Sequence, residues 1–215
     1  MISTLSPIIL DIAVLAVGLI AILLEAFEED KNKSIIRGFT TTAIGLLFVA
    51  SFFFQPQSVE GASQIVQFYK ADRLALFYKQ IALGATFLVL LMASDFRSIL
   101  AKFIPGVTPN SGIGEFFALP IFTCVGLMWM ASAVDFIFVF VALELVTISF
   151  YVLVSYMRRN ASSLEAGVKY LILGALSTGF LVYGITWVFG VTGQTNFAAL
   201  ASAIATLPEA HHQAL

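Results

Sequence analysis

Apolar runs of bilayer length, separated by short charged breaks, dominate this sequence. Crossing a hydrocarbon core takes about 20 consecutive apolar residues in a helix, and six stretches meet that length, at about 8–27, 35–54, 72–94, 116–134, 136–157 and 164–190. The run over 116–157 is too long for one span, and Asp135 divides it. Composition points the same way. Of the 215 residues, 60% are hydrophobic and 11% charged, against about 25% charged in a soluble domain. A water-soluble fold of this length has no interior that could hide so much apolar surface. The chain reads as an all-α membrane protein with six transmembrane helices.

Several function classes lack their chemistry here. The net charge is -2 and no basic cluster is present, so nucleic acid is not an expected partner. Cys124 is the single cysteine, and the two histidines, His211 and His212, are neighbours near the C-terminus. Iron–sulfur clusters, structural zinc and disulfide frameworks need more ligands than these. Neither a Walker A loop nor a dinucleotide glycine fingerprint occurs. The expectation is therefore no cofactor and no metal held by this chain.

The positive charges give an orientation. Lys31, Lys33 and Arg37 follow span 1, Arg97 and Lys102 follow span 3, and Arg158 and Arg159 follow span 5. The opposite loops hold only Lys70 and, at the edge of span 3, Arg73. Cytoplasmic loops carry the excess of Lys and Arg, which places both termini outside. Trp129 and Trp187 fall near the outer ends of spans 4 and 6, where an aromatic belt sits. Lys31 is the first basic residue, so a cleavable signal peptide is not expected. Residues 95–115 hold Pro105, Gly106, Pro109, Gly112 and Gly114 and read as an irregular cytoplasmic connection. Beyond the polar turn at 192–196, the apolar piece 197–207 ends at Pro208, too short to span and suited to the membrane interface.

Ionisable groups inside spans are costly and mark candidate functional positions. Glu144 stands out, near the middle of span 5 and about 13 residues, or roughly 20 Å, from its cytoplasmic end. Thr147 and Tyr151 follow at i+3 and i+7 and share its face. Lys169 is the second candidate, about five residues into span 6, where a lysine can also snorkel to the headgroups. Straight helices separate Lys169 and Glu144 by about 12 Å in depth, so a water chain or a third residue would have to link them. Lys79, in span 3, reads first as a snorkelling or structural lysine and joins Thr147 and Tyr151 as a secondary candidate. Asp72 is expected to cap span 3. Asp11, Glu25, Asp135 and Glu165 sit at span ends, where water is expected to reach them. Small residues four apart on span 6, Gly174 with Thr178 and Ala175 with Gly179, permit close helix packing.

Between 114 and 193 the sequence carries a distinctive order of phrases. Gly-Glu-Phe-Phe-Ala-Leu at 114–119 is followed by Met130-Ala131-Ser132-Ala133 and Asp135. Ala142-Leu143-Glu144-Leu145, Tyr151-Val152-Leu153, Arg158-Arg159 and Ser163-Leu164-Glu165-Ala166 come next. Lys169-Tyr170, Leu173-Gly174-Ala175, Tyr183-Gly184 and Thr192-Gly193 close the series. This order closely resembles the subunit N family of NADH:quinone oxidoreductase (respiratory complex I; chain 2 in organelles), antiporter-like members of its membrane arm. The earlier part agrees more loosely, through Asp72 and Leu76-Phe77-Tyr78-Lys79.

The resemblance implies a proton-translocating subunit with no redox site of its own, in the inner (plasma) membrane of a bacterium rather than in an organelle. Glu144 would match the family's fifth-helix glutamate and Lys169 its sixth-helix lysine, members of a line of buried charges that moves protons when quinone is reduced elsewhere. Other membrane-arm subunits and the lipid bilayer would be its partners. On this reading 1–113 is an N-terminal three-helix segment that includes most of the 95–115 loop. Residues 114–190 begin the first antiporter-like repeat with helices 4–6, and 191–215 form an external tail. The family has about fourteen helices, with a key lysine on a broken seventh, so the chain would correspond to an N-terminal portion. Where the family often has proline after the glutamate, this sequence has Thr147-Ile148-Ser149-Phe150. The alternatives are a related subunit of a multisubunit cation/proton antiporter or membrane-bound hydrogenase, and a fragment that packs against neighbours without transporting.

Overall fold

The computed structural model describes residues 7–27, 34–56, 67–103 and 114–206. They form seven helices: α1 (Pro7–Phe27), α2 (Ser34–Ser51), α3 (Arg73–Phe103), α4 (Gly114–Ser132), α5 (Phe136–Val154), α6 (Ala161–Thr192) and α7 (Phe197–Thr206). Five segments are long and apolar enough to cross a membrane: α1, residues 73–96 of α3, α4, α5 and α6. The apolar stretch of α2, Ile35–Ser51, falls short of that length. The fold is thus all-helical as expected, with five helices of spanning length and a shorter α2 packed against α1 and α3.

Two boundaries differ from the sequence reading. Helix α3 continues through Phe103 instead of stopping near 94, so residues 95–103 of the expected irregular connection are helical, and its prolines and glycines between 104 and 113 lie outside the described residues. Helix α6 is also longer at both ends. Its limits are set by local chemistry. The Asn160 side chain accepts from the Ser162 N–H at 3.0 Å, and Gly193, at φ 65°, donates to the Phe189 carbonyl. A left-handed residue of that kind closes a helix most easily when it is glycine.

Helix α4 is the hub, packing against α1, α2, α3 and α5. Phe117, Ile121, Cys124, Val125 and Met128 are all buried in one cluster with Leu10 and Val14 of α1 and Leu83 and Leu90 of α3. Gly126 lets α5 approach closely, since a Cβ there would stand 2.9 Å from the Ala142 carbonyl oxygen and 2.6 Å from Val146 Cγ2. The start of α4 is held from α1, where the Glu25 carboxylate accepts the Gly114 N–H at 2.9 Å. An acidic group suits the unsatisfied N–H groups and positive dipole end of a helix N-terminus. Tyr156, just beyond α5, packs on Phe116 at the same end of the bundle. Burial, then the charges of Glu115 and Glu25, push its phenol up.

At the opposite end a three-segment clasp joins the helices. Tyr69 pairs antiparallel with Ala133, and Asp135 with Asn196. The Lys70 N–H donates to the Ser132 carbonyl and the Val134 N–H to the Phe68 carbonyl. The Phe136 N–H donates to Thr195 and the Phe197 N–H to Val134. Asp135 caps α5 by accepting from the Ile137 N–H and takes a second bond, 2.7 Å, from the Thr195 hydroxyl. Asp72 caps α3 as expected, its carboxylate accepting the Ala75 N–H at 2.8 Å. The clasp therefore fixes the start of α3, the end of α4, the start of α5 and the end of α6 in one place.

The close α4–α5 approach carries a prediction. Gly126→Ala should lower stability by about 1–3 kcal/mol, because the stiff, β-branched Val146 side chain and the Ala142 carbonyl both stand in the way. Gly38→Ala on α2, with nothing within 4 Å of the added carbon, should be neutral or slightly stabilising. Thermal unfolding of the two variants in the same detergent compares them.

Candidate functional site

Glu144 projects from the middle of α5 toward α6 and is half-buried between them. Its Oε1 accepts a hydrogen bond from the Thr178 hydroxyl at 2.8 Å. Thr147 does not serve the carboxylate: its hydroxyl donates back to the Glu144 backbone carbonyl at 3.1 Å. Tyr151, two turns further along α5, lays its hydroxyl over Gly174, where any Cβ would collide with it. The Tyr151 ring also meets the Tyr170 ring edge-on, with centroids 5.2 Å apart. Tyr170, Gly174 and Thr178 recur every four residues, so one stripe of α6 receives both polar groups of α5. Small residues on that stripe seat the Tyr151 and Glu144 side chains as well as allowing close packing.

Lys169 lies elsewhere. Its side chain is 69% exposed and paired with Glu165, 65% exposed, one turn earlier on the same helix. The structure does not bring Lys169 to Glu144. Between their levels stand the phenols of Tyr151 and Tyr170, whose rings touch.

The most buried charges are at Lys79 and Asp11. The ammonium of Lys79, 0% exposed, donates to Asp11 Oδ1 at 2.9 Å and Oδ2 at 2.7 Å. It also donates to the Tyr69 hydroxyl at 2.5 Å, and that hydroxyl donates to Asp11 Oδ2 at 2.8 Å. Asp11 is 1% and Tyr69 5% exposed. Burial, followed by the Asp11 charge, pushes the Tyr69 phenol up, so it stays protonated as a donor. Three sequence expectations are corrected here, the snorkelling of Lys79 and the water access of Asp11 and Asp135. Lys79 does not snorkel but turns into the bundle, and Asp11 is sealed from water instead of reached by it. Asp135, 2% exposed, is likewise closed over, by the clasp. The signal was available in part. Helices α1 and α3 start at the same end, and Asp11 and Lys79 lie about 6 and 9 Å along them, opposite charges at nearly matched depth. Tyr69, outside any apolar run, gave no comparable sign.

Among the described residues, no group of three or more His, Cys, Asp or Glu side chains could hold a metal ion. The polar chemistry within the helices is that of carboxylate, ammonium, hydroxyl and phenol groups, which exchange protons and hydrogen bonds.

Residues 133–215 match the sequence family described as NADH:quinone oxidoreductase/Mrp antiporter, transmembrane. The fold matches respiratory complex I from Thermus thermophilus, with TM-score 0.67 at 20% identity, over 91% of this chain and 42% of that one. It matches an archaeal membrane-bound sulfane sulfur reductase with TM-score 0.66 at 21% identity, over 90% of this chain and 39% of that one. The fold is thus one shared with a chain of each of these respiratory complexes, and residues 133–215 carry the antiporter-type sequence match.

The curated relatives carry one name. The chain is 36% identical over 183 residues to NADH-quinone oxidoreductase subunit N of Heliobacterium modesticaldum, covering 85% of this chain and 36% of that protein. The subunit N of Trichlorobacter lovleyi is 41% identical over 133 residues, covering 62% and 26% respectively. That of Paramagnetospirillum magneticum is 32% identical over 204 residues, covering 93% and 38%. The chain is a relative of subunit N, and it spans about a quarter to two fifths of the length of these proteins.

The buried pair gives a second prediction. Lys79→Met alone leaves a sealed carboxylate without its cation and should destabilise the protein by about 3–5 kcal/mol. Adding Asp11→Asn should recover most of that loss, because the charge and its counter-charge leave together. Thermal unfolding of the single and double variants measures the recovery.

Proposed function

We propose that this chain works as a proton-translocating membrane subunit of an NADH:quinone oxidoreductase in a bacterial inner membrane, beside other membrane-arm subunits. Helix α2 would make the sixth crossing, with both ends of the chain outside. The relatives named subunit N and the antiporter-like fold support this reading. The observation that carries it is Glu144, an ionisable group at mid-helix held between two apolar helices by a single hydroxyl.

The geometry supports a specific sequence of roles. An ionisable group between apolar helices is costly to place and marks a functional position, and Glu144 would be the group that carries the proton. The Thr178 hydroxyl donates to the ionised form and lightens that cost without abolishing it. Lys169 and Glu165 form an exchangeable pair at the cytoplasmic end of α6. Tyr151 and Tyr170 lie between that pair and Glu144 and would complete the path with bridging water. Thr147, bonded to its own backbone, would have a structural part only. Flavin, iron–sulfur and quinone chemistry would belong to other subunits. A second reading, a related respiratory or antiporter complex, draws on the fold likeness to the sulfane sulfur reductase. Neighbouring genes for complex I membrane subunits would decide between them.

Glu144→Gln removes the proton-carrying oxygen while keeping an acceptor for Thr178. In membrane vesicles holding the assembled complex, NADH-driven proton pumping should fall by about tenfold or more, and quinone reduction with it if the two are tightly coupled. Pumping at the unaltered rate would reduce Glu144 to a structural carboxyl. A smaller companion change, Thr178→Val, should slow pumping less, since one hydrogen bond to a charged group is worth about 1.5–3 kcal/mol.

A further inference from the structure

Three separate parts of the chain meet at the buried ion pair: Asp11 from α1, Lys79 from α3 and Tyr69 from the clasp. Tyr69 is the one member outside a helix. Its hydroxyl gives to Asp11 and takes from Lys79, so the clasp is bonded to the pair at both of its charges. Its ring stands edge-on to Phe138 of α5, with centroids 6.5 Å apart. The segment carrying Tyr69 pairs with the α4–α5 junction, and that junction pairs with the end of α6. The Asn196 side chain closes the circuit by donating to the Gln67 carbonyl at 2.7 Å.

An ion pair sealed this completely contributes little net stability, because desolvation of both charges offsets their attraction. What it does supply is geometry: a bidentate contact with a third ligand tolerates very few arrangements. The consequence reaches the other polar site. Sliding α6 along α5 by one residue moves it about 1.5 Å, enough to break the hydrogen bond between Thr178 and Glu144. The clasp is what sets that register at one end, since it holds the Asp135 cap of α5 and the Thr195 end of α6 together.

We propose that Asp11, Lys79 and Tyr69 form a latch that holds the clasp closed and thereby positions Glu144 against α6. They act as positioning residues, with no proton passing through them, and the proposal rests on the reading of Glu144 as the proton carrier. Tyr69→Phe is the discriminating variant. It keeps the ion pair and the ring contact with Phe138 and removes only the hydroxyl that ties the pair to the clasp.

Closure is read by a Phe68→Cys/Val134→Cys pair, whose residues oppose each other beside the Tyr69–Ala133 bridge at a separation a disulfide accepts. Native Cys124 is buried away from them. In native membranes, adding Tyr69→Phe or the neutral Asp11→Asn/Lys79→Met pair should slow disulfide formation by about tenfold, the equivalent of a hydrogen bond to charged partners. Unchanged cross-linking in both backgrounds overturns the latch, whatever Glu144→Gln does. Pumping tests the link to Glu144 separately. Tyr69→Phe should lower pumping in the native background and add no further loss on top of Glu144→Gln, whereas an additive loss contradicts positioning. If Glu144→Gln pumps normally while cross-linking still slows, the proton-carrier reading fails and the positioning role falls with it.

Discussion

Hydrocarbon offers no hydrogen bonds, and every polar group placed within it has to find its partner in the protein. The apolar segments of this chain are helices because only a helix satisfies its own backbone over such lengths. The same demand explains the ends. Asp72, Asp135 and Asn160 take the first N–H groups of α3, α5 and α6, and Glu25 reaches from another helix to do so for α4. Where the chain leaves helix at 67–71, 133–135 and 195–196, the segments pair with one another instead.

Charged side chains obey that demand in three different ways, and the differences assign their roles. Lys79 and Asp11 neutralise each other completely, and Tyr69 satisfies both, so their arrangement is closed. Glu165 and Lys169 pair one turn apart on an exposed face of α6. Glu144 is half-buried, and among the described residues its carboxylate is met by the hydroxyl of Thr178 and by no cation. On the proposed reading, the closed Asp11–Lys79–Tyr69 arrangement would supply fixed geometry and Glu144 would carry the proton.

Much of this was legible in the sequence, for physical reasons that also mark where legibility ended. Runs of apolar length gave the helices, Asp72 announced its cap, and Glu144 was conspicuous because no carboxylate lies in such a run cheaply. The length of α3 beyond residue 94 was not visible, since Arg97 and Lys102 signal the end of a membrane span and not the end of a helix. Whether Lys79 snorkels or is structural is not legible from depth alone, which cannot tell a lysine that snorkels from one that turns inward; the partner decides, and the partner is 68 residues away. Tyr69 was invisible for the same reason, lying in a polar stretch whose pairing with Ala133 is a property of the assembled fold. Gly174 and Thr178 were noted as a packing stripe, but their role as a seat for Tyr151 and Glu144 needed the facing helix.

In the proposed mechanism the Glu144 carboxyl gains and loses a proton during turnover. Infrared difference spectroscopy of the assembled complex, with and without NADH, reads that change directly as a carboxylic acid C=O band. A band should appear or vanish on NADH addition, shift in Thr178→Val and be missing in Glu144→Gln. An identical difference spectrum in the Glu144→Gln variant, or no carboxyl band at all, would contradict it.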